Sequence, residues 1–287
     1  MNSYGLAFVL MAAAIHPFRD IFLKGSRHPI SAYASICSIW IFISIIHVLI
    51  FNEDLRLPVS YWPYVVASSL GLIIYYYGTL KALERGSLSV YYPIIRSSPL
   101  AIVFVNWLAF DQSYELKVLL GIGLVLIGVF MLQKSARGVT GDKKSLYLAL
   151  LAMLGSAAYT VADANAMSVI SPSVFLFYVY IIVTLGLFGL GLSETRSIAN
   201  SMSLLKTNFA NAPQRIILAG VSSYVSYYLI LWAFKVGSEA AAVSAIRQVS
   251  IPLAVVVATI VLKEKKFFYN LWWASFVGVG VIIISIE

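Results

Sequence analysis

Charge is scarce in this chain. Only 11% of its 287 residues are Asp, Glu, Lys or Arg, while 61% are hydrophobic; soluble domains carry roughly 25% charged residues. An apolar excess of this size cannot all enter one aqueous core, because a core must be wrapped in polar surface, so lipid is its natural solvent. Cysteine is nearly absent: Cys37 stands alone and excludes both an internal disulfide framework and a cysteine-based metal site. The three histidines, His16, His28 and His47, have no metal-ligand spacing, so neither metal nor cofactor is expected. A removable leader is not evident. Tyr4 to Ile15 is apolar, but no basic stretch precedes it and no small-residue cleavage site follows; it reads as the start of a permanent span. The isolated GIG at 121–123 and GVG at 278–280 are too weak for a nucleotide site, and no phosphate-binding loop is present. The formal net charge is +8, yet the basic residues do not cluster with aromatics on a polar face, which argues against nucleic acid as a partner.

What the chain has instead is long apolar runs. A bilayer-crossing helix needs about 20 mostly apolar residues, and ten such runs occur: 4–24, 30–51, 61–83, 88–109, 116–133, 144–164, 172–192, 214–234, 240–262 and 267–286. Their length, without period-two alternation, favours helices over barrel strands. The expected fold class is an all-α polytopic membrane protein. The polar segment 134–143 (KSARGVTGDK) divides the runs five and five, giving a first repeat at 1–133, a basic linker, and a second repeat at 144–287. The longest joint, 193–213, reads as a loop.

The halves are related. Displacing the sequence by 151 residues lays 75–96 on 226–247, so that Tyr76 meets Tyr227, Tyr77 meets Tyr228, Gly86 meets Gly237 and Arg96 meets Arg247. A displacement of 143 lays Asp20 on Asp163. With an odd number of spans in each half, the copies must insert upside down relative to one another, an arrangement that places substrate sites near the bilayer midplane between repeats. Thirteen Lys and Arg residues follow the odd-numbered spans and three (Arg56, Lys117, Lys235) lie on the other side. By the positive-inside rule, this places the loops 25–29, 84–87, 134–143, 193–213 and 263–266 in the cytoplasm, in a multi-pass cell (inner) membrane protein with both termini outside.

Four basic residues lie within or at the edges of spans: Arg19, Lys81, Arg96 and Arg247. An arginine at a helix centre costs about 2.5–3.5 kcal/mol on insertion scales. Lys81 is near a span end and can snorkel; Arg96 and Arg247 lie deeper and need a partner or a wet cavity. Depth pairs Asp20 with Arg96 and Asp163 with Arg247. These are either buried ion pairs that lock each half or, on the functional reading, arginines that bind a substrate anion and are held by the acids when the site is empty. Pro93, Pro99 and Pro252 near the arginines free backbone carbonyls, which membrane helices tolerate along cavities. Tyr76, Tyr77, Tyr92, Tyr227 and Tyr228 either join the interfacial belt or line a cavity and stack on an organic solute; Trp40, Trp62 and Trp107 read as belt or packing. His16, four residues before Asp20 on one helical face, either relays protons or packs against a carbonyl. The glycines Gly121, Gly123, Gly128, Gly278 and Gly280 read as helix-packing positions.

With those residues in view, the chain resembles the drug/metabolite transporter superfamily, in its EamA family, over essentially its whole length. The match is carried by HPFRDIFLK (16–24), YTVAD (159–163) and the arginine-bearing AIRQVSIPLAVVVATIVLKEK (245–265) closing on Glu264. One branch of the family has His-Ala-x-Trp-Asn in its first span; here Pro17, Arg19 and Asp20 replace Ala, Trp and Asn, so that branch's substrate does not carry over. The resemblance implies ten spans and an exporter, and a layout with both termini in the cytoplasm, the reverse of the charge count. The resulting expectation is a secondary active transporter of a small metabolite (amino acid, carboxylate or related polar solute), embedded in lipid, with a coupling proton as a candidate partner, as a monomer or homodimer. The alternative is a flippase, or flippase subunit, for a lipid-linked polar headgroup. A membrane transferase would need an acid, base or metal cluster at one interface, and the 193–213 segment offers only Glu194, Arg196 and Lys206.

Overall fold

The computed structural model describes residues 1–23, 28–85, 91, 94–134, 143–251 and 267–285; for 20–23, 83–85, 109–110, 132–134, 267, 270–271 and 285 it describes the backbone alone. These residues form eleven α-helices and no strand. The first half holds α1 (Ser3–Leu23), α2 (Pro29–Ile50), α3 (Trp62–Arg85), α4 (Ser98–Phe110) and α5 (Leu116–Lys134). The second holds α6 (Lys143–Ala166), α7 (Pro172–Thr195), α8 (Ile198–Asn211), α9 (Pro213–Lys235), α10 (Ala240–Ile246) and α11 (Phe267–Ser285). Proline opens α2, α7 and α9 at the first turn, where its missing N–H costs nothing and its fixed φ suits the helix. Four helices (α2, α6, α7 and α9) are long and apolar enough to cross a membrane, and α4, α5 and α11 contain shorter apolar stretches. Large apolar side chains such as Phe42, Leu49, Leu108, Leu185 and Trp272 are exposed around the outside, the surface a bilayer covers.

The helices interlock between halves. The most extensive pairings are α3 with α6, α1 with α9, α5 with α11 and α2 with α7, and α4 also packs on α10. Each joins an element of the first half to one of the second. Small residues allow the closest of these. A Cβ on Gly71 would lie 2.7 Å from the backbone nitrogen of Tyr159, and one on Gly155 would lie 2.7 Å from the carbonyl oxygen of Gly71, so α3 and α6 touch backbone to backbone. Gly121 and Gly280 do the same for α5 and α11, whereas Gly123 and Gly278 have nothing within 4 Å and are not packing positions.

Two expectations change. The 193–213 segment is not a plain loop: Ser197 caps α8 by accepting from the Asn200 N–H at 3.3 Å, and Asn208 donates to Ser31 Oγ at 3.0 Å and Ser35 Oγ at 3.1 Å on α2. The runs 88–109 and 240–262 are not continuous α-helix in their described parts. A turn at Ser97 separates helical residues 94–96 from α4, and a 3-10 turn at Arg247–Val249 follows α10. Pro99 cannot donate to the carbonyl of Ile95, which explains the first break; Pro252 lies outside the described residues. Loops 25–29, 84–87, 134–143 and 263–266 also fall wholly or partly outside them.

Candidate functional site

The two repeat-related arginines thus sit at matching interruptions of two matching segments, where backbone groups leave the helical ladder. Around Arg247 the structure assembles side chains from five helices. From α3, Leu72, Tyr75 and Tyr76 share a face by helical spacing, with Ser68 one turn earlier. From α6, Tyr159 and Asp163 lie one turn apart. His16 and Arg19 come from α1, Trp40 from α2, and Ser223, Ser226 and Tyr227 from α9. Apart from Ser68 and Asp163, these residues and Arg247 line a cavity of about 20 Å³. A single water needs roughly 10–15 Å³ measured this way, so this conformation closes on a volume far below that of an organic metabolite.

Asp163 is fully buried and satisfied by two hydroxyls: Ser68 Oγ donates to Oδ1 at 2.6 Å and Tyr227 donates to Oδ2 at 2.5 Å. Hydroxyl bonds of this length are among the stronger ones available to a buried carboxyl group. Arg247 also approaches this tyrosine, its guanidinium carbon 5.9 Å from the Tyr227 ring centroid, and Nη1 donates to Tyr159 OH at 3.5 Å. Asp163 and Arg247, matched by depth in the sequence, are therefore linked through Tyr227 rather than joined as an ion pair. Among the described residues, no carboxylate lies at ion-pair distance from Arg247.

Cationic groups converge here. Arg19 and Arg96 are buried, and Arg19, Arg96 and Arg247 all lie close enough to His16 to act on it electrostatically. His16 Nε2 is buried with no hydrogen-bond partner among the described residues, and its ring lines the cavity. Arg19 also rests over the Tyr33 ring at 5.4 Å. Aromatic walls complete the site. Trp40 lies 3.9 Å from Tyr180 and 5.4 Å from Tyr227 between centroids, and donates from Nε1 to Ser223 Oγ at 2.9 Å. The Tyr76 and Tyr180 hydroxyls meet at 3.3 Å.

Among the residues expected from sequence, His16, Tyr76, Asp163, Tyr227 and Arg247 come together. Arg96 is buried nearby but does not line the cavity. Tyr77 and Tyr228 do not join the group: Tyr77 is 36% exposed on the outer face of α3, and Tyr228 bonds His47 Nε2 at 3.1 Å while Tyr224 meets Nδ1 at 3.2 Å. Each step along a helix turns about 100°: Tyr75 and Tyr76 bound the cavity side of α3 and Ser226 and Tyr227 that of α9, and one further step carries Tyr77 and Tyr228 away from it. Tyr92 lies outside the described residues, as does the Asp20 side chain. Lys81 pairs with Glu194 at 2.5 Å. Sequence reasoning missed Ser68, Tyr180, Ser223 and Ser226, which carry no distinguishing pattern. It also left Arg19 outside the site; Trp40, read as belt or packing, is packed at the centre and 3% exposed.

Comparisons with known proteins agree with this architecture. The model of the EamA-like transporter family matches twice, over residues 2–133 and 143–286. No curated protein matches the sequence. A solved protein crystal structure shares the fold with a TM-score of 0.75, covering 99% of this chain and 97% of its own at 14% identity.

Proposed function

The chain belongs to the EamA-like transporter family, and from that membership we propose that it is a secondary active exporter of a small carboxylate-bearing metabolite, an amino acid or related polar organic acid. It works by alternating access between two inverted five-helix repeats. Its ten spans lie in the inner membrane with the odd-numbered loops in the cytoplasm, as the Lys and Arg distribution favours.

The observation that carries this reading is Arg247. It is a cation at a helix break, lining the central cavity, with an aromatic face and a phenol for neighbours and no carboxylate at ion-pair distance among the described residues. A bidentate guanidinium suits a carboxylate, and the field of Arg19 and Arg96 adds to the attraction. The tyrosine and tryptophan rings then receive the apolar body of the solute. Because the cavity is small here, binding requires the helices to part. The hydrogen bonds that cross from α6 to α9 and to the Arg247 turn are Tyr227 to Asp163 and Arg247 to Tyr159, beside the Tyr159–Tyr227 ring contact, and these are the ones a solute displaces. Withdrawal of the Tyr227 hydroxyl leaves Asp163 short of a donor and favours its taking up a proton, which couples solute movement to proton movement.

Reconstituted protein in liposomes, assayed with radiolabelled amino and organic acids, tests the reading. Arg247→Ala removes one charged hydrogen-bonding partner, and an accelerated flux of the carried acid should fall roughly 10- to 100-fold. Unchanged flux takes Arg247 out of the substrate site.

A further inference from the structure

Away from the central cavity, where α3 ends and α6 begins, Tyr77 and Lys81 of α3 face Lys143, Lys144, Tyr147 and Leu148 of α6 across an open cleft of about 420 Å³. We infer that this cleft is a binding site for the anionic phosphodiester headgroup of a membrane phospholipid.

Four features support that occupant. The cleft lies at the level where a membrane-crossing helix emerges, since α6 is long and apolar enough to span the bilayer and begins at Lys143. Among the described residues its lining holds three lysines and no carboxylate; Lys81 is engaged by Glu194 at 2.5 Å, the Glu194 side chain being 43% exposed, so Lys143 and Lys144 are the main cations it offers. Basic side chains at this depth attract anionic lipid at about 1 kcal/mol each. The first turn of α6 adds the positive end of its dipole. The floor is amphipathic: Tyr77 and Tyr147 are 36% and 63% exposed, and such rings seat at the headgroup boundary with the body in the acyl region. Leu146 and Leu150, also exposed on α6, continue the surface toward acyl chains.

The site has a mechanical consequence. The cleft opens between the ends of the two helices that meet at Gly71 and Gly155 and that share the Ser68–Asp163 bond. A headgroup seated there bridges both helix ends and holds them at a set separation, so anionic lipid stabilises the closed α3–α6 pair on which Asp163 depends.

Purified full-length protein, stripped of lipid in detergent, tests this by native mass spectrometry and thermal unfolding against phosphatidylglycerol, phosphatidylcholine and inorganic phosphate. Phosphatidylglycerol should bind in one saturable event and raise the unfolding midpoint, with phosphatidylcholine and phosphate doing neither at equal concentration. Lys144→Gln should weaken binding about fivefold and Lys143→Gln with Lys144→Gln about 25-fold. Lys117→Gln, an exposed lysine paired with Glu115 and away from the cleft, should bind as the parent does. Equal binding of phosphatidylcholine overturns the proposal, as does undiminished phosphatidylglycerol binding in the folded double variant. Protection by phosphate that matches phosphatidylglycerol and is lost in the double variant replaces the lipid with a free anion, and overturns it too.

Discussion

The helix pairs α3–α6 and α1–α9 are equivalent under the internal repeat, yet they are built differently. In α3–α6, Gly71 and Gly155 bring the backbones together, and Gly155 meets the backbone nitrogen of Tyr75. The corresponding positions in α1–α9 are Ser222, Ala12 and Ser226. There the same crossing is made by a side chain, Ser226 Oγ donating to the Ala12 carbonyl at 2.9 Å. Asp163 is locked by a hydroxyl from its own pair, Ser68; the position equivalent to Ser68 in α9 is Ala219, which has no hydroxyl to offer. Pro17 lies inside the continuous helix α1, leaving the Ala13 carbonyl without its helical donor. One copy is a tight backbone-to-backbone strut; the other, joined through a side chain and carrying a proline, is the one expected to bend. Duplication supplies symmetry, and divergence at small residues decides which half yields.

Gly155→Val should have the largest effect. Its side chain meets backbone in a pair that cannot separate without breaking the Ser68–Asp163 bond, and overpacking of even compliant cores costs 1–3 kcal/mol or more. Folded yield by size exclusion should collapse, whereas Ala12→Val, at the equivalent place in the α1–α9 pair, should leave folded protein; equal damage would show that the two pairs are mechanically alike. Asp163→Ala comes next, because it strands two buried hydroxyls at about 1–3 kcal/mol each, seen as a lowered unfolding midpoint. Asp163→Asn keeps an acceptor and most of the stability but cannot take up a proton at the carboxylate, so transport driven by a pH gradient should stop while solute exchange continues. A preserved gradient response removes Asp163 from coupling. Pro17→Ala restores an N–H to α1 and should stiffen the α1–α9 pair, slowing turnover in liposomes while leaving solute affinity unchanged. Ser226→Ala gives up one hydrogen bond worth about 1 kcal/mol, and smallest is Ser222→Ala, within about 0.5 kcal/mol.

Much of the candidate site was legible because duplication left a trace. Arg96 and Arg247, and Tyr76 and Tyr227, were found by laying one half on the other, and each pair marks the neighbourhood of the cavity or its breaks. The partner of Asp163 was not legible. Equal depth along two helices says nothing about rotation about their axes, and rotation is what turned Asp163 toward Ser68 and Tyr227 rather than Arg247. Helix α8 was missed because Asn, Ser, Thr and Lys make up half of it; the signal was there in Ile198, Met202, Leu205 and Phe209 at helical spacing, preceded by Ser197 as a cap.

Composition and run length alone placed this chain in a membrane as a bundle of helices, because an apolar stretch of about 20 residues has one low-energy solution in lipid. The internal repeat alone singled out the residues that matter twice. Which of them meet was settled only in three dimensions. Helix rotation and the close approach at Gly71 and Gly155 determine whether a buried hydroxyl, a ring or a guanidinium reaches the carboxylate first, and no linear pattern encodes that order.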